Sequence, residues 1–443
     1  MSEYRIRNKF LFCAGLISII LFQSGRRNAS AQQSFFGKGG KPVSYEQQAV
    51  QHKPADKESY RSTWQKIWQA VQKGFYDTKM NGVDWKKIGD TYEARLAGIT
   101  SRSEFETLMN QMLAELHASH MAYVTTDDAE YYMMQSVSMQ DMQHDEVEHI
   151  GIMGRQEGKE YVVSAVLDGY PAQQAGIATG DRIQSADGKP FTTAEAFRGK
   201  AGSPVTIQFK RDGEEKPRAV AVKPVKSNML RAFLEATKRS AKILDVSGKK
   251  IGYIHLWTMA TESFRATLES QILTKLHDTD GLVLDLRDGY GGHPFGFSDV
   301  FFRPDISWES ERQNSKPSLQ HTGYNKPIVV LINEGTRSAK EFFAYQMKST
   351  KRATLVGTRT AGAFIGAYFV KIGEAGLLEL AGLGLKVDGM RLENQGVTPD
   401  IMVVGAGSYS EKDTQLDQAK KTLVALALQN ERNSGKADAI HAN

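Results

Sequence analysis

The chain has 443 residues, of which 40% are hydrophobic and 24% charged, a composition that excludes a mainly disordered protein. Its length predicts about three domains. The formal net charge is +5, but the first 31 residues hold five basic side chains against one acidic one, which leaves about +1 for the remainder. A global attraction to nucleic acid is therefore excluded, and we expect no nucleic-acid partner.

The N-terminal 31 residues have the three-part pattern of a secretory signal peptide. A basic start precedes an apolar run over residues 10–22, too short to span a bilayer, and Ala29-Ser30-Ala31 then precedes Gln32. We predict cleavage after Ala31, a periplasmic or secreted location and no stable membrane insertion; a retained membrane anchor is the alternative. Cys13 is the sole cysteine, so the mature chain would hold no disulfide and no thiolate metal site.

Residue patterns divide the following chain into segments. Residues 32–57 are polar and contain several glycines, which predicts a flexible lead-in. Over residues 58–146, apolar side chains recur at helical spacing, as at Trp64, Ile67 and Val71, and predict an N-terminal helical domain. Beyond residue 147, short β-like runs replace this pattern.

The C-terminal half alternates strand-like and helix-like runs. Over residues 227–405, apolar strand patterns at 251–256, 282–286 and 328–332 are separated by helical stretches. This alternation predicts an α/β core with a largely parallel sheet. Residues 406–443 are predicted to form a C-terminal helix and a frayed tail.

A small β-rich module is predicted ahead of this core. Residues 147–226 contain His149-Ile150-Gly151-Ile152, then Pro171-Ala172 and Gly180-Asp181-Arg182-Ile183, and on these motifs they resemble a PDZ domain. The resemblance implies that Ile150, Gly151 and Ile152 bind a peptide, with amides facing its carboxylate and a free strand edge for β-augmentation. A β-domain without a ligand is the alternative.

Three further motifs carry chemistry. Ser119 and His120 end a predicted helix, where an imidazole can reach across a cleft and accept a proton. The predicted strand at 282–286 runs into Asp288-Gly289-Tyr290-Gly291-Gly292, whose amides suit an oxyanion hole. Ser338 lies between a strand and a helix, where free amides and the helix dipole favour an oxyanion.

These motifs resemble those of the tail-specific, or C-terminal processing, serine peptidases, and more closely their tricorn-core branch. The resemblance covers residues 58–126 and 250–402 and implies a ClpP/crotonase-like α/β core beside the helical and PDZ domains. It implies a Ser-His-Ser-Glu tetrad and a two-donor oxyanion hole. The implied residues are Ser338 as nucleophile, His120 as base, Ser119 and Glu393 as its supports, and the amides of Ala339 and of Gly291 or Gly292.

One position departs from the family pattern. Members with a Ser–Lys dyad carry a lysine about twenty-five residues after the serine, where this chain has Ala363. Lys340 follows Ser338 too closely and is expected to point elsewhere, and Lys371 is remote. We therefore expect His120 to act as the base, without a cofactor, on a peptide or an unfolded protein.

Other interpretations stay open at this point. Ser338 could merely cap its helix, and Glu393 could be a surface carboxylate. The chain could also be a catalytically inactive peptide- or ligand-binding scaffold of the same fold. A metal site is disfavoured, because His117 and His120 have no H-E-x-x-H pattern and no third ligand. The favoured function is an exported serine endopeptidase assisted by its PDZ-like domain.

Overall fold

The computed structural model describes residues 57–311, 313, 317–404 and 413–441. These residues belong to one unit, Ala55–Asn443. The predicted signal peptide, residues 32–56 of the predicted lead-in and the predicted boundary near residue 405 lie outside the described residues.

The N-terminal segment is helical, as predicted. Its apolar stripes converge in one core, where Ile67, Met109 and Met112 are fully buried. A capping box between Ser101 and Glu104 starts the third helix. The elements are α1 (Lys57–Gly74), α2 (Trp85–Arg95), α3 (Arg102–Ala114), β1 (Ala122–Thr125) and α4 (Ala129–Met139).

The β-rich module that follows has its own hydrophobic core. Its main sheet has the order β3-β4-β5-β7-β8, so β3 is an edge strand, and β2 pairs with β9 where the chain enters and leaves the module. The elements are β2 (Glu146–His149), β3 (Ile152–Glu157), β4 (Glu160–Val166), α5 (Pro171–Gln174), β5 (Arg182–Ala186), β6 (Lys189–Pro190), β7 (Val205–Lys210), β8 (Arg218–Val222) and β9 (Val225–Asn228).

The C-terminal half is the predicted α/β core. Its first part contains α6 (Met229–Ser240), β10 (Lys242–Val246), β11 (Lys249–His255), α7 (Glu262–Leu273), β12 (Gly281–Asp285), α8 (Asp299–Phe302), β13 (Ser307–Ser310) and β14 (Ser318–His321). Its second part contains β15 (Ile328–Ile332), α9 (Ala339–Ser349), β16 (Thr354–Gly357), β17 (Ile365–Ile372), β18 (Gly376–Gly384), β19 (Ile401–Met402) and α10 (Thr414–His441).

A six-stranded sheet of order β10-β11-β12-β15-β16-β19 forms the centre of the core. The strands from β11 to β19 run parallel, and β10 is antiparallel at one edge. Strands β12 and β15 are buried along their whole length, which explains their uninterrupted apolar sequences. Helix α10 covers one face and α6, α7 and α9 the other. No helix within the described ranges is long and apolar enough to cross a membrane.

A smaller antiparallel sheet joins the N-terminal helical segment to the C-terminal half of the chain. It has the order β1-β18-β17, with Ala122 opposite Glu379. Leu378 and Leu380 of β18 are buried in the same core as helices α1 to α3. Because β1 follows Ser119 and His120 directly, this pairing holds these two residues beside the C-terminal part of the chain.

Candidate active site

The site is built at the carboxyl edge of the parallel sheet, where β12 and β15 end side by side. A short turn after β15 is bonded to the loop after β12. The Asn333 Oδ1 accepts the amide of Asp288 at 3.0 Å, and the Thr336 hydroxyl donates to the Leu286 carbonyl oxygen at 3.0 Å. These polar side chains fix the relative position of the two loops that carry the glycines and Ser338.

Ser338 has a strained backbone, with φ 57° and ψ −127°, immediately before helix α9. Such a conformation costs a non-glycine residue about 1–3 kcal/mol and must be held by its surroundings. The Ser338 amide donates to the Ala363 carbonyl oxygen at 2.9 Å and to Glu341 Oε2 at 3.1 Å. The buried Glu341 carboxylate also accepts the amides of Gly362 and Ala363, both at 2.8 Å.

The glycine-rich loop lies directly against Ser338. A Cβ atom added to Gly291 would lie 2.4 Å from Ser338 Cβ, 2.8 Å from its Oγ and 2.9 Å from the Ala339 nitrogen. Gly292 has φ +133°, and a Cβ there would lie 2.3 Å from the Met259 carbonyl. The loop backbone thus approaches Ser338 more closely than any residue with a side chain would allow.

Ser119, His120 and Glu393 form a continuous hydrogen-bonded set. Ser119 Oγ lies 2.8 Å from His120 Nδ1 and 2.9 Å from Glu393 Oε2. Glu393 Oε1 accepts the Ser119 amide at 2.8 Å, and Oε2 accepts the Phe364 amide at 2.6 Å. Glu393 is only 4% exposed, so the surface-carboxylate alternative is wrong.

Two adjacent residues connect this set to the nucleophile turn. The Ala363 carbonyl oxygen binds the Ser338 amide, and the next amide, of Phe364, binds Glu393. The structure therefore brings Ser119, His120 and Glu393 together and connects them to Ser338 through Ala363 and Phe364, with Gly291 and Ala339 beside Ser338. Ser119, His120 and Ser338 all retain partial exposure.

Three charged residues near the site, Arg337, Glu130 and Glu379, were not among the site residues predicted from the sequence. Arg337 is exposed beside it, and burial together with this guanidinium lowers the pKa of His120 to about 4. Burial raises the pKa of Glu130 and of Glu379 to about 7, against the opposing charge of Arg337. Tyr290, in the glycine-rich loop, donates to Glu130 Oε1 at 3.1 Å. Arg337 adjoins a recognisable motif, whereas the two glutamates have no local sequence pattern.

The three positions considered for a lysine base differ in environment. Ala363 supplies only its carbonyl oxygen to Ser338, and Lys371 is exposed on β17. Lys340 is fully buried, and its Nζ donates to the Asp288 carbonyl oxygen at 2.8 Å rather than to Ser338.

Asp285 and Arg287 pair with each other in the scaffold. Arg287 is buried between Asp285 and Asp413, at 2.6 Å and 2.8 Å.

One group of side chains has the composition of a metal site. Ligand atoms of His277, Asp278 and His321 lie within 4.8 Å of one another. However, the two imidazole rings are stacked, with centroids 3.3 Å apart, so their in-plane lone pairs do not converge on one point. Both rings face Asp305, at 3.0 Å and 3.2 Å, at the base of the β13–β14 hairpin. His277 precedes β12, so the group lies at the opposite edge of the sheet from Ser338.

The three residues implied to bind peptide lie at the start of β3. Ile150 and Ile152 are 1% and 6% exposed and pack in the core of the β-rich module. Gly151 has φ +78°, and a Cβ there would lie 2.3 Å from Tyr170 Cβ. Only backbone groups of this segment can therefore meet a peptide. Its module contacts the start of α4, where the Asp127 carbonyl oxygen accepts the Ala194 amide at 3.0 Å.

Family models match three parts of the chain. The model of peptidase family S41 matches residues 250–403, the tricorn protease C1 domain matches residues 56–114, and the PDZ domain matches residues 148–222.

A carboxy-terminal-processing protease of Bartonella bacilliformis is 30% identical over 341 residues, covering 72% of this chain and 74% of that protein. A putative tricorn protease homolog 2 of Streptomyces coelicolor is 25% identical over 376 residues, which are 77% of this chain but only 30% of that protein.

Among solved structures, tricorn protease shares the fold. The TM-score is 0.50 at 20% sequence identity, covering 84% of this chain and 37% of the tricorn chain. The family resemblance and the fold class predicted from the motifs are thus confirmed. This chain belongs to peptidase family S41, the family of the carboxy-terminal-processing proteases, and is a serine peptidase with a PDZ domain.

Proposed function

We propose that the chain is an endopeptidase that hydrolyses peptide bonds of proteins or peptides through a Ser-His-Ser-Glu tetrad. Ser338 attacks the carbonyl carbon while His120 removes its proton, and Ser119 and Glu393 hold the imidazole. The observation that carries the proposal is the hydrogen-bonded set that runs from Glu393 through Ser119 to His120 Nδ1. A positioned base of this kind contributes about 10²–10⁴ in rate.

The hydrogen-bond pattern assigns the tautomer of His120. A carboxylate only accepts, so the single hydroxyl proton of Ser119 points to Glu393. Ser119 Oγ must then accept a proton from His120 Nδ1–H. This leaves Nε2 with a lone pair, which is the form that a general base requires. The low pKa of His120 keeps the ring neutral near pH 7.

The oxyanion of the tetrahedral intermediate is proposed to bind the amides of Ala339 and of Gly291 or Gly292. Support comes from the close approach of Gly291 to both Ser338 Oγ and the Ala339 nitrogen. The Ala339 amide also begins helix α9, where the helix dipole favours negative charge. Each donor of this kind is worth about 10²–10³ in kcat.

The PDZ domain is proposed to bind an extended substrate along β3, beginning at Ile150, Gly151 and Ile152. Since β3 is an edge strand of its sheet, a peptide can add to it by main-chain hydrogen bonds. The contact between Ala194 and Asp127 sets this domain beside α4, whose residue Glu130 lies next to Tyr290 of the glycine-rich loop. We therefore propose that peptides bound by the PDZ domain are delivered to Ser338.

The experiment that tests this function is covalent labelling with a fluorophosphonate, combined with cleavage of an unfolded protein followed by mass spectrometry. The wild-type protein should be labelled on Ser338 and should produce internal cuts, and Ser338→Ala should lose both. Ser349→Ala, at the far end of α9, is the matched control and should behave as wild type. A folded wild-type protein that neither reacts nor cleaves would favour the inactive scaffold.

The pH dependence of kcat/KM is expected to follow His120. Because its pKa is lowered to about 4, the neutral base predominates above that pH, and the acid limb of the profile should appear only as the pH drops through about 4. Arg337→Gln removes a charge that lowers this pKa, so the acid limb should move toward neutrality. Arg61→Gln, on the exposed face of α1, is the control. An acid limb near 6.5 in the wild type would contradict this assignment.

Gly291→Ala should reduce kcat by about 10²-fold or more, because the added methyl group would displace the amides proposed to bind the oxyanion. The rate of fluorophosphonate labelling should fall in parallel. Gly98→Ala is a suitable control, since a Cβ at Gly98 meets no atom within 4 Å. Unchanged kinetics for Gly291→Ala would exclude this loop from the oxyanion site.

Export is proposed from residues 1–31 alone. When the full chain is produced in a bacterium with a working secretion pathway, N-terminal sequencing of the recovered protein should begin at Gln32. Replacing Ala29 and Ala31 by leucine should block this cleavage. Recovery of the chain from membranes with its N-terminal segment intact would support the retained anchor instead.

A further inference from the structure

Lys340 is a buried lysine that has no role in the proposed catalytic tetrad. It is the second residue of α9, the helix that begins directly after Ser338, and it has no exposed surface. Its Nζ donates to the Asp288 carbonyl oxygen at 2.8 Å, and a Cβ added to Gly289 would lie 3.1 Å from it. The ammonium group thus lies against the glycine-rich loop that carries Gly291.

Successive backbone groups of this loop are held by bonds to the surrounding core. The Asp288 amide binds Asn333, the Tyr290 amide binds the Trp257 carbonyl oxygen at 3.0 Å, and the Gly291 carbonyl oxygen accepts the Met259 amide at 2.8 Å. Lys340 fixes the Asp288 carbonyl and, with it, the plane of the Asp288–Gly289 peptide. Its bond links the loop to the helix of the nucleophile, so the two halves of the oxyanion site share one fixed geometry.

The surroundings of Lys340 bear on its protonation. Burial lowers the pKa of Lys340 to about 7, and the carboxylates of Asp288 and Asp285 oppose this lowering. At the same carboxyl edge of the sheet, Arg287 pairs with Asp285, and the ring of His255 binds the Arg287 carbonyl oxygen. A lysine in this setting changes charge close to neutral pH.

We propose that Lys340 is a positioning residue for the oxyanion site, acting as an ammonium ion that locks the Asp288–Gly289 peptide and aims the adjoining amides at the reacting carbonyl. The inference rests on the proposed peptidase function. When Lys340 loses its proton, its hydrogen bond to Asp288 weakens and a positive charge disappears from beside the glycine-rich loop that carries the proposed oxyanion donors. The protein should therefore have a second, alkaline limb in its pH profile.

If Lys340 only stabilised the fold, Lys340→Met would lower the unfolding temperature together with the activity. Lys340→Met removes the cost of enclosing an ammonium group away from water, and this gain offsets the hydrogen bond lost at the Asp288 carbonyl oxygen. Lys340→Met is expected to unfold at the same temperature as the wild type or at a higher one. A loss of activity in a variant that is no less stable separates positioning from folding.

The test compares Lys340→Met with Lys348→Met in the full-length protein. Lys348 lies in the last turn of the same helix, and its Nζ also donates to a backbone carbonyl oxygen, that of Thr398, at 2.7 Å. With a peptide that the wild type cleaves, Lys340→Met should lower kcat about tenfold or more, change KM less than about twofold and abolish the alkaline limb near pH 7. Lys348→Met should retain wild-type kinetics and pH dependence.

The possible results distinguish failure of the Lys340 positioning role from failure of the proposed peptidase function. An active wild type with equal kcat and an equal pH profile in Lys340→Met would overturn the positioning role alone. If Lys340→Met does not fold, the wild-type profile decides, because absence of an alkaline limb in kcat between pH 6 and 9 would overturn it as well. A wild type without cleavage or labelling would instead overturn the peptidase function from which the inference starts.

Discussion

The arrangement around Ser338 depends on one buried carboxylate. Glu393 accepts the amide and hydroxyl of Ser119, 274 residues away in sequence, and also the amide of Phe364. A buried carboxylate is tolerable only when its oxygens are fully bonded, and these donors come from the loop after α3 and from the residue before β17. Removing Glu393 would leave buried amides without partners and would free the segment that holds His120.

A second buried carboxylate, that of Glu341, holds the backbone of Ser338 in place by accepting amide hydrogen bonds. Glu341 accepts the amide of Ser338 and those of Gly362 and Ala363, while Phe364, one residue on, binds Glu393. Two of the residues so connected have strained backbones, since φ is 57° at both Ser338 and His120. The strained backbone conformations persist because the surrounding hydrogen bonds hold both residues in place.

Much of this architecture could be predicted from local patterns. Apolar runs predicted β12 and β15, and glycines predicted the loop directly after β12. The family motifs named Ser119, His120, Ser338 and Glu393, which the fold brings into one region of the molecule. The spacing of Glu341 from Ser338 is that of a capping box and predicts a helix start, but its bonds to Gly362 and Ala363 depend on the tertiary fold and have no local pattern. Glu130 and Glu379 could not be assigned to the site from the sequence, because their proximity to Arg337 arises only when distant strands and helices pack together.

The most direct measurement is a crystal structure of the protein after reaction with a fluorophosphonate. We expect phosphorus bonded to Ser338 Oγ, with its oxygen about 2.7–3.1 Å from the Ala339 amide and from that of Gly291 or Gly292. His120 Nε2 should face the modified oxygen within hydrogen-bonding distance. Modification at another residue, or a phosphonyl oxygen turned toward solvent while His120 points away, would overturn the proposed roles of Ser338 and His120.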